Sequence, residues 1–311
     1  MSLSTRKDVV LAKLEGTYGT DPTPTGAANA ILVSNLQISP LQMTPVERGL
    51  IREWFGNSES IPGQIFGEVS FEVEIQGSGT AGTATAYGPL LQACGLVETD
   101  GASDVQYDPT SSEALMKSVT IFFYRDGVLH EMNGARGSVS LSFVNQQIPK
   151  YRFRFQGQYV RPVDSAPTGV SYTAFKTPAI VNATNTTPFT LHSISPVVAS
   201  LEIDLANNLV YRDYIGGSKK VLITDRKPTG RIVMEAALMA TKNWFQSIET
   251  AATGALQVQQ GQSAGYIVVV DAPSVQLINP SYSDSDGIAM LEMDLIFNPT
   301  TGNNEIKITT K

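Results

Sequence analysis

Residues 67–75 read GEVSFEVEI. Val69, Phe71, Val73 and Ile75 alternate with Glu68, Ser70, Glu72 and Glu74. A period of two with one apolar face specifies a β-strand half-buried on a core. A second passage of the same kind, GRIVMEAAL, occupies residues 230–238. The surroundings repeat as well. RGLIREWFGNSESIPGQIF (48–66) and YRDYIGGSKKVLITDRKPT (211–229) each carry an Arg, an acidic residue, an aromatic, then Gly and Ser. Each then runs through a polar, hairpin-like stretch into the Gly that opens the strand.

Further out, the order of elements is also written twice. TATAYGPLLQACGLV (83–97) places Tyr87, Leu90, Leu91 and Cys94 at helical spacing, with Gly95 as a stop. SVTIFFYRDGVLHEMNG (118–134) is a hairpin about Asp126-Gly127, and alternating SVSLSFV and KYRFRFQGQYV follow. After a Pro-, Thr- and Asn-rich stretch at 162–190, VASLEIDLANNLVYRDYIGG predicts two strands across Asn207-Asn208. A helix over 239–254 and closing strands complete the second set. Arg52 falls on Arg212, Gly67 on Gly230, and Arg152, Phe153, Arg154 and Phe155 on Glu292, Met293, Asp294 and Leu295. Apolar positions keep register while the charges invert. The expected organisation is an arm (1–30), a first domain (31–161), an extended linker (162–190) and a second domain (191–311). The expected fold is mainly β: two tandem β-sandwich or barrel domains, each with one flanking α-helix.

Of the 311 residues 42% are hydrophobic and only 16% charged. A core is attainable, and so lightly charged a surface suits a chain that buries its exterior against copies of itself. The single cysteine, Cys94, excludes an intramolecular disulfide and reads as core. The N-terminus lacks the apolar stretch of a signal peptide, and no run approaches the roughly 20 apolar residues of a membrane helix. A net charge of −7 weighs against gripping phosphates. His130 and His192 have no acidic or Cys partner nearby in sequence and read as surface or interface residues. GSGTAG (77–82) lacks the Lys-Ser/Thr ending of a phosphate cradle, and DSDG (284–287) lacks the spacing of a calcium loop. The sequence therefore predicts a structural protein with no catalytic, cofactor-binding or metal site.

Two stretches carry a family resemblance. VVLAKLEGTYGTDPTPTGAANAILVSNLQISP (9–40) resembles the N-terminal arm of major tail (tail tube) proteins of long-tailed, non-contractile bacteriophages. VERGLIREWFGNSESIPGQIFGEVSFEVEI (46–75), followed by a helix with Pro-Leu-Leu-x-Ala-Cys-Gly, extends the resemblance over roughly the first 160 residues. It implies rings stacked as a tube, six folds per ring, with inner sheets joined into one barrel around a DNA channel. A chain with two folds would make a trimeric, pseudo-hexameric ring. The implied partners are further copies, the tape measure protein, the tail terminator and distal tail proteins. Viral DNA would pass without specific binding, and no membrane is involved. The implied location is the virion tail, after assembly in the host cytoplasm. On this reading the arm, residues 1–30, crosses to a neighbouring subunit or ring. Glu68, Glu72, Glu74 and Glu235 are candidates to line the channel, and Arg152 and Arg154 to pair with Glu292 and Asp294 between unlike domains. The alternatives are another virion β-protein (tail terminator, head–tail connector or capsid decoration) and a carbohydrate-binding adhesin. An adhesin needs an exposed aromatic platform, whereas Trp54 and Trp244 have apolar neighbours in sequence.

Overall fold

Wherever the sequence alternates, the chain runs as a strand. The computed structural model describes residues 3, 4 and 6–311, and the protein is mainly β. The first half holds β1 (Asp8–Leu14), β2 (Ala30–Ile31), β3 (Ser34–Val46), β4 (Ile61–Glu74) and β5 (Leu96–Asp100). It continues with β6 (Val105–Pro109), β7 (Val119–Arg125), β8 (Val128–Val144), β9 (Lys150–Tyr159) and β10 (Val163–Asp164). The second half holds β11 (Phe189–Leu191), β12 (Val198–Asp204), β13 (Asn207–Arg212), β14 (Lys220–Arg226) and β15 (Thr229–Glu235). After these come β16 (Thr253–Gln260), β17 (Val268–Ser285), β18 (Ile288–Phe297) and β19 (Lys307–Thr310). The helices are short: α1 (Gly26–Asn29), α2 (Gly88–Ala93) and α3 (Trp244–Glu249).

Eight antiparallel strands form one continuous ladder in the order β3–β4–β9–β8–β12–β15–β18–β17. Its register carries a single apolar row through both halves: Val73, Tyr151, Leu141, Ile203, Gly230, Leu295 and Leu277. That face is the core. Phe71, Phe153 and Phe155 stack on it with ring centroids 5.8–6.0 Å apart. At about 25 cal/mol per Å² of apolar surface removed from water, such rings dominate the driving force.

The remaining strands close the other side of the core. β2–β1–β7 pairs with the N-terminal part of β8, which also pairs β10. In the second half β11–β16 pairs with the N-terminal part of β17, and β19 joins β17 to β6 and so to β5. The C-terminal strand thus ties the halves together. Two long strands, β8 and β17, run from one layer into the other. Each carries a bulge against its partner, between Asn133 and Arg136 on β8 and between Ile278 and Ser281 on β17. An extra residue on one strand bends it, which lets a strand turn that corner.

Several expectations change. The apolar run at the N-terminus is not held back for another copy: all of β1 pairs with β7, and Val10, Leu11 and Ala12 are buried. Its β-branched and apolar side chains find their partner within the chain. Met1, Ser2 and Thr5 of the expected arm lie outside the described residues. Both helices are shorter than their apolar spacing suggests. α2 begins only at Gly88, with Pro89 in its first turn, and stops at Gly95, whose φ of +79° suits glycine. α3 begins at Trp244 because Asn243 caps it, its side chain accepting a hydrogen bond from the Gln246 amide. Asn207-Asn208 is not a turn: both residues lie in β13, and β13 pairs with β14 rather than with β12. The stretch 162–190 is not a free extended linker. Val181 is buried, and its backbone exchanges hydrogen bonds with Gln146 and Gln147. The Asp126-Gly127 hairpin is as expected, with positive φ at both residues.

Candidate functional site: a polar sheet face and two open edges

The second face of the eight-stranded ladder is polar, and its register can be followed across the seam between halves. Glu74, Lys150, Ser142, Glu202, Arg231 and Asp294 lie in one row. Glu72, Arg152, Ser140, Asp204 and Thr229 form the next. Glu68 and Arg154 lie on the same face on β4 and β9, and Glu235 and Glu292 on β15 and β18.

The sequence-predicted acidic residues are on this face, but in the first half they are answered. Glu72 is only 8% exposed and lies between Lys150 at 2.9 Å and Arg152 at 3.2 Å, with the Asn35 amide donating at 2.7 Å. Burial pushes its carboxyl up, but these partners outweigh that and hold it below the usual range. Glu68 faces Arg154 at 3.6 Å and accepts from Gln156 at 2.6 Å. Glu74 is half-buried opposite Lys150, whereas Glu235 is exposed opposite Met290. Arg152 and Arg154 therefore pair with β4 of their own half. Glu292 pairs with Arg231 of its own half, and Asp294 accepts from Asn279. Within the chain these four do not meet across the seam.

Summed by half, the face is asymmetric. In the first half Glu68, Glu72 and Glu74 are balanced by Lys150, Arg152 and Arg154. In the second, Glu202, Asp204, Glu235, Glu292 and Asp294 face Arg231 alone. The acidity of this surface sits in the second half. Glu202 and Asp204 were missed in sequence, although their alternation with Leu201 and Ile203 is the same signal that marks β4.

The ladder also aligns the repeat. Val69 pairs with Phe155, and Gly230 pairs with Leu295. If Phe155 corresponds to Leu295, then Gly230 corresponds to Val69 and not to Gly67. The strand match moves by two residues, which leaves every side chain on the same face.

Two ladder edges are open. Among the described residues β3 pairs only with β4, and β17 from 277 to 285 pairs only with β18. The corresponding strands inside the chain are paired to each other: β8 residues 140–144 meet β12 residues 200–204. Tyr282 and Leu41 stand exposed at the open edges. Such edges are templates for further strand pairing.

The other chemical candidates resolve into structure. His192 is buried, its Nε2 is 2.8 Å from the Val275 carbonyl, and His130 stacks on Phe123 at 5.0 Å, so His192 is not a surface residue. Burial pushes the Cys94 thiol well up, leaving it unreactive. Trp244 is buried, whereas Trp54 is exposed beside a fully exposed Phe55. Among the described residues no His, Cys, Asp and Glu group is placed to hold a metal, and no helix is long and apolar enough to cross a membrane.

An amphipathic sheet running through two similar halves, with unpaired edges at both ends, defines a structural β-protein. The model of the phage tail tube protein family matches residues 5–297, and the chain belongs to that family. It is a structural tail tube protein and a component of the virion tail. No curated protein matches the chain.

Proposed function

We propose that three copies close a ring by pairing β17 of each with β3 of the next, and that stacked rings form the conduit for DNA ejection. The observation that carries this is the β8–β12 seam. Placing β18 on β9 with Glu292 at Arg152 brings Ser281 and Tyr282 to the positions of Ser140 and Leu141. The matching shift brings Ser39 and Ile38 to the positions of Asp204 and Ile203. The buried Leu141–Ile203 pair at the inner seam then becomes Tyr282–Ile38 between copies. With eight strands per chain, three chains supply 24, and at about 4.8 Å per strand these enclose a circle roughly 37 Å across before tilt. That is wide enough for a duplex.

The polar face then lines the channel, with Glu202, Asp204, Glu235, Glu292 and Asp294 as its main acidic residues and Glu68, Glu72 and Glu74 offset in number by Lys150, Arg152 and Arg154. A wall without unpaired cations does not hold a polyanion, since each phosphate contact would add affinity through counterion release. Assembly in the host cytoplasm, with a tape measure protein setting length and terminator and distal proteins at the ends, belongs to the same proposal.

The test is a Ser39→Cys, Ser281→Cys chain, in which the native Cys94 is buried and silent. Oxidation of assembled material gives covalently closed trimers on a denaturing gel. Ladders running to six chains, or no interchain bond in tubes that form normally, overturn the proposal.

A further inference from the structure

The connections that follow β3 and β12 occupy the same place in the two halves but differ in what they rest on. The β13–β14 hairpin after β12 rests mainly on the first half, and only its end reaches its own half, where Arg226 donates to Glu305. Its Val221 amide donates to Tyr18 Oη at 2.6 Å, and the Arg136 guanidinium donates to the Val221 carbonyl at 3.2 Å. Gln158 donates to the Lys219 carbonyl at 2.6 Å, and Asn207 donates to the Cys94 and Gly137 carbonyls. The Tyr211 ring lies 5.4 Å from Phe66. The hairpin thus reaches back over the half that its own strand β12 joins.

Residues 47–60, after β3, have no such seat. All but Ser58 are exposed, and Ile51 and Phe55 are as open to solvent as in an extended chain. The sequence here is apolar and aromatic, LIREWF, which a solvated loop does not require.

We propose that this loop docks on a second copy of the chain: the one whose β17 receives β3, at the position on its second half that the hairpin occupies on the first. The inference rests on the β17–β3 reading above. The corresponding surface carries what such a loop needs. Ile278 within β17 and Ile296 near the end of β18, only part-buried, interrupt the polar face. A groove of about 740 Å³ opens beside Ile296, between Pro299 on one side and the base of the chain's own hairpin, residues 223–228, on the other. The turn after α3 presents exposed Ala251 at φ +50°, where the first half has Gly95 under Ile223 of the hairpin. The hairpin is held by hydrogen bonds spread over Tyr18, Arg136, Gln158 and the Cys94 and Gly137 carbonyls. The loop would be held by burial of Ile51, Trp54 and Phe55 against isoleucine and proline.

The experiment places a benzophenone amino acid at Phe55 in the Ser39→Cys, Ser281→Cys chain and assembles it from a mixture of isotopically light and heavy copies. Irradiation is expected to give mixed light–heavy adducts mapping to 274–299 or 250–253, at least tenfold above those of unassembled chain. In parallel, Ile51→Ser with Phe55→Ser leaves the monomer's denaturation midpoint unchanged and lowers the urea concentration at which tubes dissociate. If the Ser39–Ser281 bond forms while adducts map to the loop's own chain or to any other surface, the loop inference is overturned and ring closure stands. If neither bond nor adduct forms, both fail.

Discussion

The two halves share one ladder yet solve the same problems differently. In the first, cations and carboxylates on the polar face are equal in number, the outer edge of β8 is covered, and a hairpin from elsewhere seals its end. In the second, carboxylates outnumber cations, and among the described residues the equivalent edge of β17 is bare and no hairpin lies across the equivalent end. A repeat whose copies were independent domains would treat both edges alike. Here the first half is finished by the second, and the ring proposed above assigns the completion of the second half to another copy.

The largest effect concerns what locks the halves together. Arg226 donates to Glu305 at 2.5 Å and to the Thr110 carbonyl at 3.1 Å, joining hairpin, C-terminal segment and first half with both charges buried. Removing one partner strands a buried charge, so Arg226→Ala is expected to cost about 3–5 kcal/mol in urea unfolding. Arg231, which pairs with Glu292 inside one half, is largely solvated. Arg231→Ala should leave the midpoint close to that of the parent chain. Equal losses would mean that the seam is no more demanding than the surface.

Next is the covered seam against the open edge. Leu201 is fully buried where β12 meets β8, and Leu201→Ala should destabilise the monomer by about 2–5 kcal/mol. Tyr282 is mostly exposed and touches Phe245, so Tyr282→Ala should cost under about 1 kcal/mol in the monomer while abolishing tubes in electron micrographs. Normal tubes from Tyr282→Ala would break the equivalence drawn between the two edges.

A smaller effect tests the charge asymmetry. Reversing Glu202, Asp204 and Asp294 to Lys on the second half should leave assembly intact and make tubes retain duplex DNA. The log–log salt slope should steepen by roughly 0.9 for each phosphate newly contacted. Reversing Glu68, Glu72 and Glu74 instead breaks the pairs that Glu72 makes with Lys150 and Arg152 and Glu68 with Arg154, sets a third cation opposite Lys150, and should show first as lost stability. If both triples bind DNA alike and unfold alike, the halves are electrostatically equivalent after all.

Much of this was legible in the sequence because alternation is local. GEVSFEVEI, GRIVMEAAL and the inverted charges on β9 and β18 all read directly as strands with one wet face. What stayed hidden is non-local. Nothing in the spelling of KYRFRF says that Arg152 lies beside Glu72, since 80 residues separate them and only the ladder brings them together. The apolar VVLAKL run reads the same whether its partner is β7 or another chain. Asn207-Asn208 is a strong turn signal overridden by tertiary contacts, because the Asn207 amide is committed to the carbonyls of Cys94 and Gly137. The charge balance of the polar face depended on which strands met, so alternation put Glu68, Glu72, Glu74 and Glu235 on one kind of face without saying that the first three lie opposite cations.

The smallest expected effect comes from the two histidines, one per half. Burial holds both below the ordinary imidazole range, and for His192 the Val275 carbonyl opposes the shift while Lys242 adds to it. A depressed pKa means that the folded state favours neutral imidazole. As pH falls through about 6.5 the unfolded chain takes up the proton first, so stability is lost below that point and levels off once the folded histidine also protonates. His192 should contribute more than His130, since it is the more buried and sits where Gly254 leaves no room for a Cβ: one built there would lie 2.6 Å from the ring. His192→Gln keeps a donor for the Val275 carbonyl but removes the titration. Between pH 7 and 5.5 the parent chain's Tm should therefore fall further than that of His192→Gln, with His130→Gln in between. Glu131, whose carboxyl burial pushes up, works in the opposite sense and is common to all three chains, so the differences between them isolate the imidazoles. Parallel Tm curves for all three would show that neither histidine is held neutral by the fold.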